Sequence, residues 1–398
     1  MSDFVADLIK KVKPSATIAV SMKAAELKRA GKDVIGLGAG EPDFDTPEHI
    51  KAAAIKAIQA GQTKYTAVDG TPELKQAIIG KLSRENKVDY QANEILVSCG
   101  AKHSIFNLLS AILNAGDEVI IPTPYWVSYP DMTLLAGGES VIVETTAAAD
   151  FKLTAAQLAD AITAKTKLVM LNSPSNPTGR AYSKAELQAL GDVLLANPHV
   201  MVATDDIYEH IYWGDEPLVN LVALCPELKS RCVIINGVSK AYAMTGWRIG
   251  YAAGPADIIT AMRKVQSQST SNPCSISQAA ATAAYDGPQE CLDVMKAAFK
   301  ERHDYLIEAL NGLPGISCQP GNGAFYAFPD VSEAVTKIQG VNDDVELATW
   351  LLEEAGVAVV PGTPFGAPGY VRLSFATSID VLKQAINKME SALTQAIR

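Results

Sequence analysis

Residues that could take part in chemistry follow four short β-rich segments of the sequence. After segment 94–99, Gly100 turns the chain directly into a helical pattern, whose free N–H groups and dipole could bind an anion. Polar residues also follow the other three segments: Asn176 follows 166–172, Asp205 and Asp206 follow 199–204, and Lys240 follows 231–237. Each residue alone also fits an ordinary role, as a tight turn, a turn former, a helix cap or a solvated lysine.

Taken together, the four endings match the needs of pyridoxal 5′-phosphate (PLP) chemistry. That cofactor needs a lysine for covalent attachment, an acid beside its pyridine nitrogen, and donors for its phosphate and ring oxygen. Arg248, eight residues after Lys240, can supply a second phosphate contact. Zincin, nucleophile-elbow and Walker-A patterns are absent from the sequence, the six cysteines form no C-x-x-C pair, and the five histidines are scattered. No metal site is expected.

The elements that must position these residues alternate between β-rich and helical patterns from about 90 to 290. Short Val/Ile-rich segments separated by helices predict an α/β fold with a mainly parallel sheet covered on both faces. Residues 1–45 predict one helix (17–30) and a Gly/Pro-rich loop, and the chain after 290 predicts an α+β unit. Its predicted elements are helices 291–313, 341–355 and 379–397, and strands 324–328, 357–360 and 370–375.

Composition narrows the class of protein. The 398 residues carry 34 Lys and Arg against 44 Asp and Glu, a net charge of −10, which argues against a nucleic-acid or anionic-membrane partner. A hydrophobic fraction of 48% is that of a globular protein rather than a disordered one. Neither an 18-residue apolar stretch nor a secretory signal is visible, so a cytoplasmic location is expected.

Eight motifs are spread along nearly the whole chain: KPSAT (13–17), GAGEPDFDTP (38–47), TKYTAVDG (63–70), PYWVSYP (124–130), NSPSNPTG (172–179), DDIYEH (205–210), GVSKAYAMTGWRIG (237–250) and VRLSFATS (371–378). Together they resemble the class I PLP-dependent aminotransferases, above all the bacterial aspartate aminotransferase branch. The resemblance implies PLP-dependent transferase fold type I: a seven-stranded, mainly parallel sheet in a large domain (46–290) and a smaller α+β domain (291–398) that an N-terminal arm (1–45) joins. It also implies a homodimer with its active site between subunits.

The same resemblance implies residue roles. Lys240 would form the Schiff base and shuttle a proton between Cα and C4′, Asp205 would bind the pyridine nitrogen, and Asp206 would be structural. The phosphate would be held by the main chain of Gly100, Ala101 and Lys102, by Arg248, and by Tyr65 of the partner subunit. Tyr208 and Asn176 would hydrogen-bond the ring oxygen, and Trp126 would stack on the ring. Gly40, Trp126, Asn176 and Arg372 would hold the substrate α-carboxylate.

The substrate side chain is the least constrained part of this interpretation. Residues 265–273, where well-known aspartate aminotransferases carry an arginine for the distal carboxylate, contain none. In the branch resembled, a lysine at the position of Lys102 does that work, and Ser15 and Thr17 could assist. Lys13 lies where prephenate-accepting members carry a residue that favours prephenate. Two alternatives stay open: an aminotransferase for aromatic or neutral amino acids, and a PLP-dependent lyase of the same fold.

One residue departs from the pattern of this family. Many relatives have a serine three residues before the lysine, where it donates to the phosphate, but this chain has Gly237. A hydroxyl contact to the phosphate is therefore missing from the expected site.

Overall fold

The computed structural model describes residues 4–397 as fifteen α-helices and twelve β-strands. The helices are α1 (Asp7–Lys11), α2 (Ala16–Arg29), α3 (Glu48–Gln59), α4 (Pro72–Lys81), α5 (Ala101–Ile112), α6 (Ser128–Leu135), α7 (Ala155–Ala161), α8 (Lys184–Ala196), α9 (Leu221–Leu224), α10 (Ala256–Ser269), α11 (Ser275–Asp286), α12 (Glu290–Asn311), α13 (Ser332–Lys337), α14 (Asp344–Trp350) and α15 (Ile379–Ala396). The strands are β1 (Ile35–Gly36), β2 (Ile95–Ser98), β3 (Glu118–Pro122), β4 (Glu139–Val143), β5 (Thr166–Asn172), β6 (Met201–Asp205), β7 (Cys232–Gly237), β8 (Gly250–Ala253), β9 (Tyr326–Ala327), β10 (Val357–Ala358), β11 (Val360–Pro361) and β12 (Val371–Ser374). Within residues 4–397, no helix combines the length and apolar character needed to cross a bilayer.

The central sheet has seven strands in the order β2-β8-β7-β6-β5-β3-β4, and β8 runs opposite to the other six. The mainly parallel, seven-stranded prediction is therefore confirmed. Successive side chains enter different apolar clusters on the two faces: Ile95 and Val97 belong to one, and Leu96 to the other. This double burial explains the continuous apolar character of the strands. Because β2, β5, β6 and β7 point the same way, all four predicted site segments leave the sheet at one edge.

A second region is built from both ends of the chain. Strand β1 pairs in parallel with β10, while β11, β12 and β9 form a small antiparallel sheet. Ile35 and Leu37 share one apolar cluster with residues from the C-terminal elements. The expected joining of the N-terminal arm to this region agrees with these contacts, and the boundaries at 45/46 and 290/291 stay a prediction.

Several predicted elements have different limits in the structure. The helix expected over 341–355 begins at Asp344, because the Asp343 side chain accepts a hydrogen bond from the Glu346 N–H at 2.8 Å and caps it. It ends in a π-helical turn over Leu351–Ala355. The strand expected over 357–360 is two short strands, since β10 and β11 pair with different partners. Helices α1, α3, α4 and α13 lie outside the predicted elements.

Candidate active site

A cavity of about 300 Å³ opens at the edge of the sheet where the four strands end. Ten of the predicted residues line it: Gly40, Ala101, Lys102, Trp126, Asn176, Asp205, Tyr208, Lys240, Arg248 and Arg372. They come from positions as far apart as 40 and 372, so the fold, and not local sequence, assembles the site. In residues 4–397 no group of histidine, cysteine and acidic side chains is arranged to hold a metal ion.

Asp205, the last residue of β6, is buried with one carboxylate oxygen free. Its Oδ2 accepts a hydrogen bond from the Tyr129 hydroxyl at 2.6 Å, whereas Oδ1 is buried and has no hydrogen-bond partner among the described residues. Burial raises the pKa of Asp205 to about 6, and the Tyr129 hydrogen bond opposes that rise. Since a buried acceptor without a donor is costly, Oδ1 is suited to a cationic N–H group in the cavity.

Lys240 lies three residues after β7 and points its amine into the same cavity. The Nζ donates to the Gly40 carbonyl oxygen and lies 5.9 Å from the Phe325 ring centroid. Burial, followed by the positive charge of Arg372, lowers the pKa of Lys240 to about 8. A lysine with this pKa releases its proton near neutral pH far more readily than an exposed lysine does, so it can act as a nucleophile and as a base.

The anion site predicted at the end of β2 has the expected backbone; we call residues 98–102 the phosphate turn. Gly100 has φ +90°, and a Cβ there would collide with the Arg248 guanidinium. Arg248 donates to the Thr245 carbonyl at 2.8 Å and to the Cys99 carbonyl at 3.3 Å, which holds it beside the start of α5. The helix N–H groups and the guanidinium together provide donors for a phosphate.

Arg372 is a buried cation that lacks an acidic partner. It is 2% exposed, it donates to Asn176 Oδ1 at 2.9 Å and to the Gly38 carbonyl at 2.7 Å, and it forms no ion pair with any described carboxylate. The guanidinium carbon lies 4.4 Å from the Tyr326 ring centroid. Because a buried charge is costly without a counter-charge, this guanidinium is suited to bind a carboxylate that enters the cavity.

Four further side chains shape the cavity: Tyr208, Tyr326, Trp126 and Lys102. The Tyr208 hydroxyl lies 2.9 Å from the Tyr326 hydroxyl, so these two phenols form one hydrogen-bonded pair. Trp126 packs edge-on against Tyr129 with centroids 5.4 Å apart, and the Lys102 amine lies 4.8 Å from the Trp126 ring. Burial, with a smaller contribution from Arg248, lowers the pKa of Lys102.

Four predicted residues do not line this cavity: Gly100, Tyr65, Lys13 and Ser15. Tyr65 is 90% exposed, and its predicted role in a partner subunit stays a prediction. Lys13 and Ser15 line a neighbouring cavity of about 820 Å³, to which Lys102 and Arg248 also contribute. Thr17 does line the main cavity, and its hydroxyl lies 3.0 Å from that of Ser15.

The structure explains the glycine at 237. A Cβ at this position would lie 2.8 Å from both the Gly250 Cα and the Ile249 carbonyl oxygen. The backbone around β8 thus excludes a serine side chain unless it shifts.

Sequence reasoning missed three residues that hold the site together. Tyr129 orients Asp205, and Tyr326 contacts both Tyr208 and Arg372. Asn172 donates to the Asp205 carbonyl at 2.7 Å and accepts from the Asn176 N–H at 2.8 Å. Tyr129 and Asn172 lie inside motifs already quoted, but no local signal marks either as a positioning residue.

Comparison with known proteins shows the family of this chain. A profile of aminotransferases of class I and II matches residues 32–389. The chain belongs to the class I and II aminotransferase family. The aspartate/prephenate aminotransferase of Nitrosomonas europaea is 55% identical over 97% of this aminotransferase and 98% of its own length. The aspartate aminotransferase of Geobacillus stearothermophilus is 54% identical over 94% and 95% of the two chains.

Solved structures confirm the fold type of this aminotransferase. The aspartate aminotransferase of Rhizobium meliloti superposes with a TM-score of 0.95 at 48% identity and covers 99% of both chains. The enzyme from Thermus thermophilus, solved with maleate, gives a TM-score of 0.92 at 43% identity, covering 98% of this chain and all of its own.

Proposed function

We propose that this aminotransferase binds PLP and moves an amino group between aspartate or glutamate and 2-oxoglutarate or oxaloacetate, with prephenate as a second acceptor. The observation that carries the proposal is one cavity that holds the unpaired Asp205 Oδ1, the Lys240 amine and the unpaired Arg372 guanidinium. These three groups suit, in turn, a protonated ring nitrogen, a carbonyl carbon and a carboxylate.

The residues present fit the cofactor. Asp205 would hold the pyridine nitrogen, and the phosphate turn with Arg248 would hold the phosphate. Asn176 and Tyr208 would contact the ring oxygen, Trp126 would stack on the ring, and Tyr65 of the partner subunit would complete the phosphate site. When bound, PLP supplies an electron sink for the bonds at the substrate's Cα.

The chain's own groups then perform positioning and proton transfer. Arg372 and Asn176 hold the substrate α-carboxylate, which orients the Cα–H bond toward Lys240. With a pKa of about 8, the Lys240 Nζ can remove the proton from Cα and deliver it to C4′. The Gly40 carbonyl keeps that amine in place. A second, 2-oxo acid substrate reverses the sequence, so the kinetics are ping-pong.

Lys102 supports a dicarboxylate substrate. Its amine lies at the cavity wall over the Trp126 ring. Since Arg372 would bind the α-carboxylate, the Lys102 amine is a second cation for the distal carboxylate. Relatives named for aspartate, and a structural neighbour solved with the dicarboxylate maleate, support a dicarboxylate as the substrate class. Lys13 in the adjoining cavity, with Ser15, is the proposed contact for the bulkier prephenate.

We also propose a homodimer. Tyr65 is 90% exposed. Ile55 and Ile58 on α3, which are close to Tyr65 in the sequence, are both more than half exposed. A second subunit would cover these apolar groups and receive the Tyr65 hydroxyl. A cytoplasmic location stays a prediction.

Lys102→Ala tests the substrate class. We expect kcat/KM for aspartate to fall at least about tenfold, ~1.4 kcal/mol, because a cation facing the distal carboxylate is lost. The value for alanine or phenylalanine should change little. Equal losses for both classes would mean that Lys102 serves the phosphate or the fold.

A spectrum tests the reaction type. Cofactor absorbance should change when aspartate or glutamate is added and return when 2-oxoglutarate or oxaloacetate is added. Release of pyruvate, or of an eliminated side-chain group, without a 2-oxo acid would instead show a lyase.

A further inference from the structure

Gln266 on α10 is a fully buried amide whose hydrogen-bonding capacity is all used. Its Oε1 accepts from Ser98 Oγ at 2.8 Å and from Asn107 Nδ2 at 2.9 Å. Its Nε2 donates to the Val68 carbonyl at 2.7 Å and to the Val97 carbonyl at 2.8 Å. A buried amide with two acceptor and two donor contacts has only one orientation that satisfies them.

One side of this amide supports the phosphate turn. Ser98 is the first residue of that turn, and its carbonyl accepts the Gly100 N–H at 2.7 Å. Asn107 lies on α5, whose first N–H groups are proposed to face the phosphate. Gln266 therefore fixes both the strand end and the helix that form the anion site of its own subunit.

The other side supports the segment that carries Tyr65, residues 63–70, which we call the Tyr65 segment. Val68 lies three residues after Tyr65, and the next residue, Asp69, accepts the Val97 N–H at 3.1 Å. Since Tyr65 is exposed and is proposed to enter the partner's site, a contact that holds this segment acts on a different active site.

We propose that Gln266 is a positioning residue shared by the two active sites of the dimer. It holds the phosphate turn in its own subunit and the Tyr65 segment that completes the partner's phosphate site. This inference rests on the proposed dimer. Loss of the amide loosens both structures at once, so one substitution weakens cofactor binding in both subunits.

Two neighbouring side chains contact only one of these structures and provide matched controls. Gln278 on α11 is equally buried. It donates to Thr66 Oγ1 at 3.1 Å and to the Pro273 carbonyl at 2.9 Å, and it accepts from the Thr71 N–H at 2.8 Å. These side-chain hydrogen bonds include the Tyr65 segment and its end but not the phosphate turn. Ser98 contacts Gln266 from the phosphate turn. Met262, buried on α10 four residues before Gln266, belongs to an apolar cluster and tests for simple destabilisation.

Hybrid dimers separate the two sites. Two differently tagged copies of the full chain are co-expressed, and one carries Lys240→Ala, so only the other subunit holds PLP covalently. A substitution placed beside the intact Lys240 acts in cis, and one placed in the Lys240→Ala subunit acts in trans. The readout is the rate at which covalently held PLP leaves, followed by absorbance with excess apoenzyme as a trap.

Gln266→Met should accelerate PLP loss in both arms, by about tenfold or about 1.4 kcal/mol. Ser98→Ala should act only in cis, whereas Gln278→Met and Tyr65→Phe should act only in trans. Met262→Ala should lower the thermal midpoint without changing either rate. If Gln266→Met does not assemble, Gln266→Glu keeps the shape and the acceptor contacts but not the amide donors, and it should still act in trans.

A trans effect of Tyr65→Phe together with no trans effect of either Gln266 variant would overturn this inference and leave the proposed function standing. If Tyr65→Phe has no effect in trans, the proposed dimer arrangement is refuted, and the inference with it.

Discussion

Replacing Arg372 with methionine removes a buried cation that faces the cavity without a carboxylate partner among the described residues. The guanidinium is 2% exposed and is held by Asn176 Oδ1 and the Gly38 carbonyl, so it is aimed before substrate arrives. Methionine fills similar space but offers no donor and no charge. The substrate α-carboxylate would then enter a cavity with its main counter-charge missing.

The size of the effect follows from this burial. Removing one partner of a buried, hydrogen-bonded charge pair costs roughly 2–5 kcal/mol. At about 1.4 kcal/mol per decade, kcat/KM should fall about 30-fold to several thousand-fold. Because every amino acid has an α-carboxylate, the loss should be similar for aspartate and for alanine. Arg372→Lys, which keeps the charge but not the two-pronged geometry, should lose less.

The assay is the half-reaction with each amino acid, followed by cofactor absorbance under single-turnover conditions. PLP affinity, measured by titrating the apoenzyme, serves as the control and should change much less. A loss below tenfold, or one confined to dicarboxylic amino acids, would refute the assignment of Arg372 to the α-carboxylate.

Three further substitutions test the remaining roles. Lys240→Ala should reduce transamination by orders of magnitude, since base catalysis alone contributes roughly 10²–10⁴-fold; more than a tenth of wild-type turnover would contradict the assignment. Asp205→Ala should lower kcat far more than PLP affinity, because the protonated pyridine loses its partner; equal losses would mean that Asp205 only anchors the cofactor. Tyr129→Phe removes a hydrogen bond that lowers the pKa of Asp205, so that pKa should rise above about 6. Because the protonated pyridine needs the ionised carboxylate as its partner, kcat should fall as pH drops through this pKa. Profiles of kcat between about pH 5 and 8 should therefore show the fall beginning at higher pH in Tyr129→Phe, and an unchanged profile would contradict this.

Much of the fold was predictable from local patterns. Apolar runs of strand length between helical patterns indicate buried parallel strands, and seven of them form the central sheet. Parallel strands end at one edge, so the turn at Gly100, Asn176, Asp205 and Lys240 were expected to meet, and all four are now found around one cavity or at its rim. The C-terminal strands were less predictable, because β9, β10 and β11 are each two residues long.

What the sequence by itself determined is the set of reactive groups and the edge of the sheet where they gather, since both depend on residue type and on spacing within one strand and turn. Only the tertiary structure decided which of those groups are left without partners. Asp205 keeps one oxygen free because Tyr129, 76 residues away, takes the other, and Arg372 meets an amide at Asn176, 196 residues away, rather than an acid. In the sequence, Gln266 is one of several polar residues in a row. The fold buries it between the phosphate turn and the Tyr65 segment. Burial and long-range pairing set the pKa values and the vacant hydrogen-bonding positions, and neither is encoded in local spacing.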